Sequence, residues 1–204
     1  DKDLIQLRST ISQLSTTITK NLRKKESNAI KHYNSNHHDV PLWVLVNQLT
    51  FGQVVYMYTH FNNKLKNAIA HDVAHYLENN TGEKIIIEPN ELQRFLFNLI
   101  DIRNCVAHNN MLFNFKSKNN VKYIPQLHKV EGIEKTAPRQ NPFNCFIMMQ
   151  ALLEKDQYTL FHNTIRKRIR NLDHRIKVIP VDKIIGSLGF PTNWHKKPVK
   201  EQPK

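Results

Sequence analysis

Arg103, Asn104 and His108 fall within one six-residue stretch, Arg103-Asn104-Cys105-Val106-Ala107-His108. A guanidinium, a carboxamide and an imidazole at this spacing can cleave a phosphodiester. An imidazole changes charge near neutral pH and can move a proton. A guanidinium can hold a phosphate and the charge that develops on it. The amide can orient either partner. RNA brings its own nucleophile, the 2′-hydroxyl beside each phosphate, so the reaction can run without a metal. One chain offers one such histidine, while acid and base together want two groups. A symmetric dimer would supply the second set across a twofold axis.

The set must be held by a helix. From Asn90 to His108, the residues Leu92, Phe95, Leu99, Ile102 and Val106 recur at steps of three and four. At about 100° per residue they form one apolar face, which predicts burial of all five. Asn90 after Pro89 is the expected N-cap. Asn104 and His108 lie one turn apart on the opposite side, and Arg103 lies at the border.

The rest of the chain also reads as helices. Leu4, Leu7, Ile11, Leu14, Ile18 and Leu22 form a nearly heptad stripe. It predicts a helix from Leu4 to about Lys31, packed on the bundle or on a second subunit. Asn34 to Asp39 is expected as a loop, Leu42 to Phe61 as a helix interrupted or thinned at Gly52, and Lys64 to Glu78 as a third helix. Ile85-Ile86-Ile87 before Pro89 predicts a short strand or an extended link. Asn114 to Asn141 is polar, with Pro125, Gly132 and Pro138, and predicts a long loop after the motif helix. Asn144 to about Arg175 predicts a long helix broken near Asp156, and Val181 to Ser187 a short one. The expected architecture is a single all-α domain over residues 1–204.

Thirty Lys and Arg against seventeen Asp and Glu give a net charge of +13. Such a field attracts nucleic acid or an acidic partner. Cys105 and Cys145 are too few for a disulfide framework, which points to a reducing cytoplasm. No apolar run approaches the roughly 20 residues needed to span a bilayer. No Gly-rich phosphate loop or nucleophilic serine motif appears, and no cofactor is implied.

Arg166-Lys167-Arg168-Ile169-Arg170, extended by His174, Arg175 and Lys177, is a candidate phosphate-tracking stripe. Leu160, Phe161, Ile165, Ile169 and Leu172 would mark its inner face, and Tyr158 and His162 could stack on bases. The competing reading is a solvated helix face with Tyr158 as rim packing. Lys116, Lys118 and Lys122, in the loop after the motif, are the next candidates for holding RNA. His71 and His75 have the spacing of a zinc helix, but Asp72 stands where a metalloprotease needs Glu and no third ligand is evident. No metal site is expected.

Beyond its chemistry, R-N-x-x-x-H at a helix end resembles the motif of the HEPN superfamily of RNases. The longer run from Arg103 to Asn114 resembles the signature of the Abi-like family, the AbiD/AbiF group of abortive-infection proteins. Two more stretches agree in order. His32-Tyr33, then Pro41 to Val46 and Leu49-Thr50-Phe51-Gly52, resembles the family's P-x-W and L-S/T-F-G segment. Leu188 to Trp194 resembles its closing G-F-P-x-x-W. The chain opens at Asp1 without a methionine, and relatives carry a further N-terminal segment, so a truncated N-terminus is expected. Met111 stands where the family carries a basic residue.

The resemblance implies a HEPN-type helical bundle and a toxin RNase of antiphage defence. His108 would be the general acid/base, Arg103 the phosphate and transition-state binder, and Asn104 the orienting residue. It implies a homodimer with both motifs in one cleft, and an antitoxin, in some relatives a small noncoding RNA. The alternative is a non-catalytic RNA-binding protein or ribonucleoprotein scaffold. A third class is a bundle that binds a small molecule or a protein.

Overall fold

The stripe at the start of the chain becomes a helix, and its C-terminal half carries most of the packing. In the computed structural model, which describes residues 2–198, α1 spans Lys2–Arg23. Leu14, Ile18 and Leu22 pack against buried Ile30, Val44 and Leu45. Leu4 and Ile11 remain exposed. The helix stops short of Lys31 because Asn28 ties two helix ends together. Its Nδ2 donates to the Asn21 carbonyl at 3.0 Å. Its Oδ1 accepts from the Lys31 N–H at 3.1 Å, capping α2 (Ala29–His37). The loop expected from Asn34 therefore starts only at His38, which closes α2 in the left-handed region.

The helix expected from Leu42 to Phe61 is two: α3 (Leu42–Val46) and α4 (Phe51–Thr59). The break falls before Gly52, not at it. Thr50 and Gln53 form a reciprocal capping box that starts a new helix. The described residues form two compact units, one ending at Asn63 and the other beginning at Lys64.

The second unit carries the motif. Its helices are α5 (Asn63–Thr81), α6 (Pro89–Ala107), α7 (Pro125–His128), α8 (Pro142–Met148), α9 (Lys155–Arg175) and α10 (Val181–Gly186). Short 3-10 turns follow at Met149–Ala151 and Trp194–Lys196. The long helix expected from Asn144 is thus split by the 3-10 turn, and Glu154 with Gln157 restarts it. Ile85–Ile87 is an extended link, and no strand occurs among the described residues. The fold is all-α.

The core of this unit gathers Phe143, Phe146, Ile147, Ile169, Val181, Ile185 and Trp194. Gly189 lets the closing segment dock there. Its φ is +91°, and a Cβ would lie 2.2 Å from the Asn141 side chain that caps α8. Phe190 then rests on Phe143 with ring centroids 4.4 Å apart, and Trp194 is 1% exposed.

The polar segment after the motif is mostly loop, as expected, but it contains the short helix α7, and side chains fasten it. Arg139 is buried and closes it from within, donating to the carbonyls of Val121, Lys135 and Ala137. Trp194 Nε1 donates to Glu131 Oε2 at 3.0 Å. His128 is fully buried and stacks on Tyr123. The Ile124 N–H donates to its Nδ1, and its Nε2 lies 2.9 Å from Asn144 Oδ1. Nδ1 also lies 2.8 Å from the Ile124 carbonyl, so both ring nitrogens face an oxygen acceptor.

Burial holds the His128 pKa below its ordinary value, outweighing its hydrogen bonds to Ile124 and Asn144. The unfolded chain therefore binds this proton more readily, so stability is present above the ordinary value of 6.5 and lost as pH falls below it. We expect the melting temperature to fall between about pH 7 and about pH 5, and His128→Gln to remove part of that slope. An unchanged slope would show that His128 is not responsible.

Candidate functional site

α6 begins at Pro89, with Glu88 rather than Asn90 at the N-cap position. Proline suits the first helical position because its missing N–H would be unsatisfied there anyway. Leu92, Phe95 and Asn98 are the buried residues of the helix. Burial is not sustained to the C-terminal end, and Val106, expected on the core face, is 53% exposed. The last turn of α6 therefore projects beyond the core.

The helix closes on His108. The Asn110 N–H donates to the Cys105 carbonyl at 2.9 Å, and the Asn109 N–H to Val106 at 3.0 Å. Asn109 adopts φ +54°. These two bonds with a left-handed residue make a Schellman termination, with asparagine in the place glycine usually takes. His108 is thereby set at the helix end with an exposed side chain. Arg103 is exposed, and its Nη1 donates to Asn104 Oδ1 at 3.0 Å. With that oxygen engaged, the Asn104 amide presents its N–H donors as the remaining recognition group.

Asn104 and His108 line an open concavity of about 460 Å³ with Asp101, Cys105, Asn110, Met111, Phe115, Lys116 and Lys118. Arg103 joins this set through Asn104 and not as a lining residue. The chain reaches it because Asn98, on the buried side of α6, pairs twice with Asn119. Its Nδ2 donates to the Asn119 carbonyl at 2.8 Å, and its Oδ1 accepts the Asn119 N–H at 3.3 Å. Asp101 Oδ2 accepts the Lys118 N–H at 3.3 Å. These bonds bring the loop lysines to the helix end. Asp101, Asn110 and Phe115 are not singled out by the sequence reading. Asp101 was within reach of a helical wheel, since it precedes Asn104 by three and His108 by seven.

The two cysteines differ. Cys105 lies at the concavity, its Sγ 3.4 Å from the Met111 carbonyl. Cys145 is buried, and burial, with the Asp101 charge second, pushes its thiol up to about 12.

Lys122 is elsewhere. Its Nζ pairs with Glu88 at 2.8 Å, and it lines a different cavity with Lys84, Glu91 and Tyr123. The hydrogen bond to Glu88 and the attraction between the charges raise the Lys122 pKa and lower that of Glu88.

The C-terminal stripe is divided by the fold. Arg166 is 2% exposed, and its Nη1 donates to the Pro198 carbonyl. Desolvation, then the neighbouring charge of Arg170, lowers its pKa. Arg170 Nε donates to the His195 carbonyl at 2.8 Å. Lys167, Arg168 and Arg175 are exposed. Of the inner face expected for α9, Ile169 is buried and Phe161, Ile165 and Leu172 pack against the core. Leu160 is 61% exposed, whereas Tyr158 and His162 are buried. His162 packs on Trp194 with ring centroids 5.0 Å apart. Neither ring is available to stack on bases, because the GFP-x-x-W segment brings Trp194 to that side of the helix.

His71 Nδ1 lies 3.8 Å from Asp72, and His75 Nδ1 lies 3.9 Å from Glu78. Among the described residues no three His, Cys, Asp or Glu side chains are grouped to hold a metal ion. Among the same residues no helix is long and apolar enough to cross a membrane.

A family model described as Abi-like protein matches residues 2–114. The span includes the capping box at Thr50 and the whole motif to Asn114, while Leu188 to Trp194 lies beyond it. No curated protein and no solved structure matches the chain.

Proposed function

The chain belongs to the Abi-like protein family, and on that premise we propose a HEPN-type RNA endonuclease that acts as a toxin in abortive infection. One observation carries this reading. His108 and Asn104 line an open, solvent-facing concavity with Lys116 and Lys118, and Arg103 is bonded to Asn104. In this reading the lysines and Arg103 attract and hold the phosphate. His108 moves the proton between the 2′-hydroxyl and the leaving oxygen. Asn104 orients the phosphate, while Arg103 holds the Asn104 amide in place. Lys167, Arg168 and Arg175, exposed on α9, would offer RNA a further basic surface.

A dimer completes the acid–base pair. Val106 within the motif and Phe113 after it are 53% and 52% exposed, and exposed apolar side chains beside a functional group suit a second subunit. The free thiols Cys105 and Cys145 suit a cytoplasmic setting. An enzyme of this kind harms its host, so an antitoxin, a small noncoding RNA or a protein, would restrain it.

The test is product chemistry. Purified protein should cleave bulk RNA in EDTA and leave 2′,3′-cyclic phosphate and 5′-hydroxyl ends. It should spare a substrate with 2′-deoxyribose at the scissile nucleotide. Activity lost in chelator and restored by a divalent cation would overturn the metal-independent mechanism. RNA bound but never cut would favour a scaffold.

A further inference from the structure

Resting on the RNase reading, we propose that the concavity at the end of α6 holds one unpaired nucleotide of the RNA, with Met111 and Phe115 as its base-binding surface and Asn110 as the reader of the base edge. The lining sorts by chemistry into the parts of a nucleotide. Lys116 and Lys118 are cations for the phosphate. His108 and Asn104 are the groups that act at the ribose and phosphate. Phe115 and Met111 are left over by that chemistry. A phosphate does not use an aromatic ring or a thioether, whereas a base does.

Met111 is 77% exposed, which is costly for a side chain with nothing to cover it. Its thioether offers a polarizable apolar contact. Phe115 is half-buried, and its N–H donates to the Leu112 carbonyl at 3.1 Å, which fixes its backbone beside the helix end. A ring held in this way can accept the face of any base. Asn110 is exposed, its N–H is fixed by the Schellman bond, and its amide offers both a donor and an acceptor. A base can lay its face on Phe115 and Met111 only when it is unstacked and unpaired, so single-stranded loops and ends are the substrate class.

The test uses non-cleavable 2′-fluoro RNA octamers in which a single abasic residue is walked along the strand. Binding to the wild-type protein is read by fluorescence anisotropy. One position should be sensitive, losing about tenfold or more in affinity when its base is removed. Met111→Ala with Phe115→Ala should lower affinity for the intact octamer by a similar factor. It should also make the abasic octamers equivalent, because the two losses describe one contact. Phe115→Tyr should restore sensitivity. Equal binding of all abasic octamers to the wild type would overturn the base site, and it needs no variant to fold. If bulk RNA is still cleaved in that case, the RNase reading stands alone. If no octamer binds and no RNA is cut, both fall.

Discussion

RNA incubated with the His108→Ala protein is expected to stay intact. Loss of the proton-transferring group should slow cleavage by about 10²- to 10⁴-fold and abolish toxicity in cells. The fold should not suffer. The His108 side chain is exposed, and the helix end is closed by backbone bonds from Asn109 and Asn110 that alanine leaves in place. The variant should therefore melt like the wild type and still bind RNA, since His108 contributes at most one charge among several cations. Arg103→Ala should also lose cleavage, because it removes the proposed phosphate ligand and releases Asn104 Oδ1. Retained toxicity in well-expressed His108→Ala cells would end the RNase assignment.

Trp194→Ala is expected to produce the largest loss of stability. The side chain is 1% exposed and meets Phe143, Phe146, His162 and Phe190. Removing a buried tryptophan of this kind costs about 3–5 kcal/mol through lost transfer energy and the cavity left behind. It also leaves the buried Glu131 carboxylate without the indole N–H, although Lys197 remains 3.4 Å away. Urea unfolding should show the loss as a lower midpoint with an unchanged slope. Trp194→Phe keeps most of the ring volume and should fall between the two. A Trp194→Ala midpoint equal to the wild type would mean that the closing segment does not brace this core.

The motif helix was legible because two independent signals agreed on it. Apolar residues recur at helical spacing through Phe95, and Pro89 suits a helix start. The polar set at its end was legible from residue type alone. Helix breaks were less so. Asn28 and Thr50 stop or start helices by hydrogen bonds that a periodicity count does not see. The face of α9 was legible in part, since Phe161, Ile165, Ile169 and Leu172 do pack on the core. Leu160 is instead 61% exposed, and the polar Tyr158, His162 and Arg166 are buried beside Ile169. Aromatic partners from Phe146 and Trp194 make that side favourable.

The sequence by itself determined the all-α class, the helix that carries Arg103, Asn104 and His108, and the chemistry open to those groups. These depend on local spacing and on side-chain type, both of which are present before folding. Only the tertiary structure decided which cations stand beside them. Lys116 and Lys118 reach His108 because Asn98 and Asp101 bind the backbone of a loop some twenty residues away. Arg166 and Arg170 instead donate to carbonyls of the C-terminal segment. Clustered charge in a sequence gives the sign of a surface, but long-range hydrogen bonds choose which charges reach it.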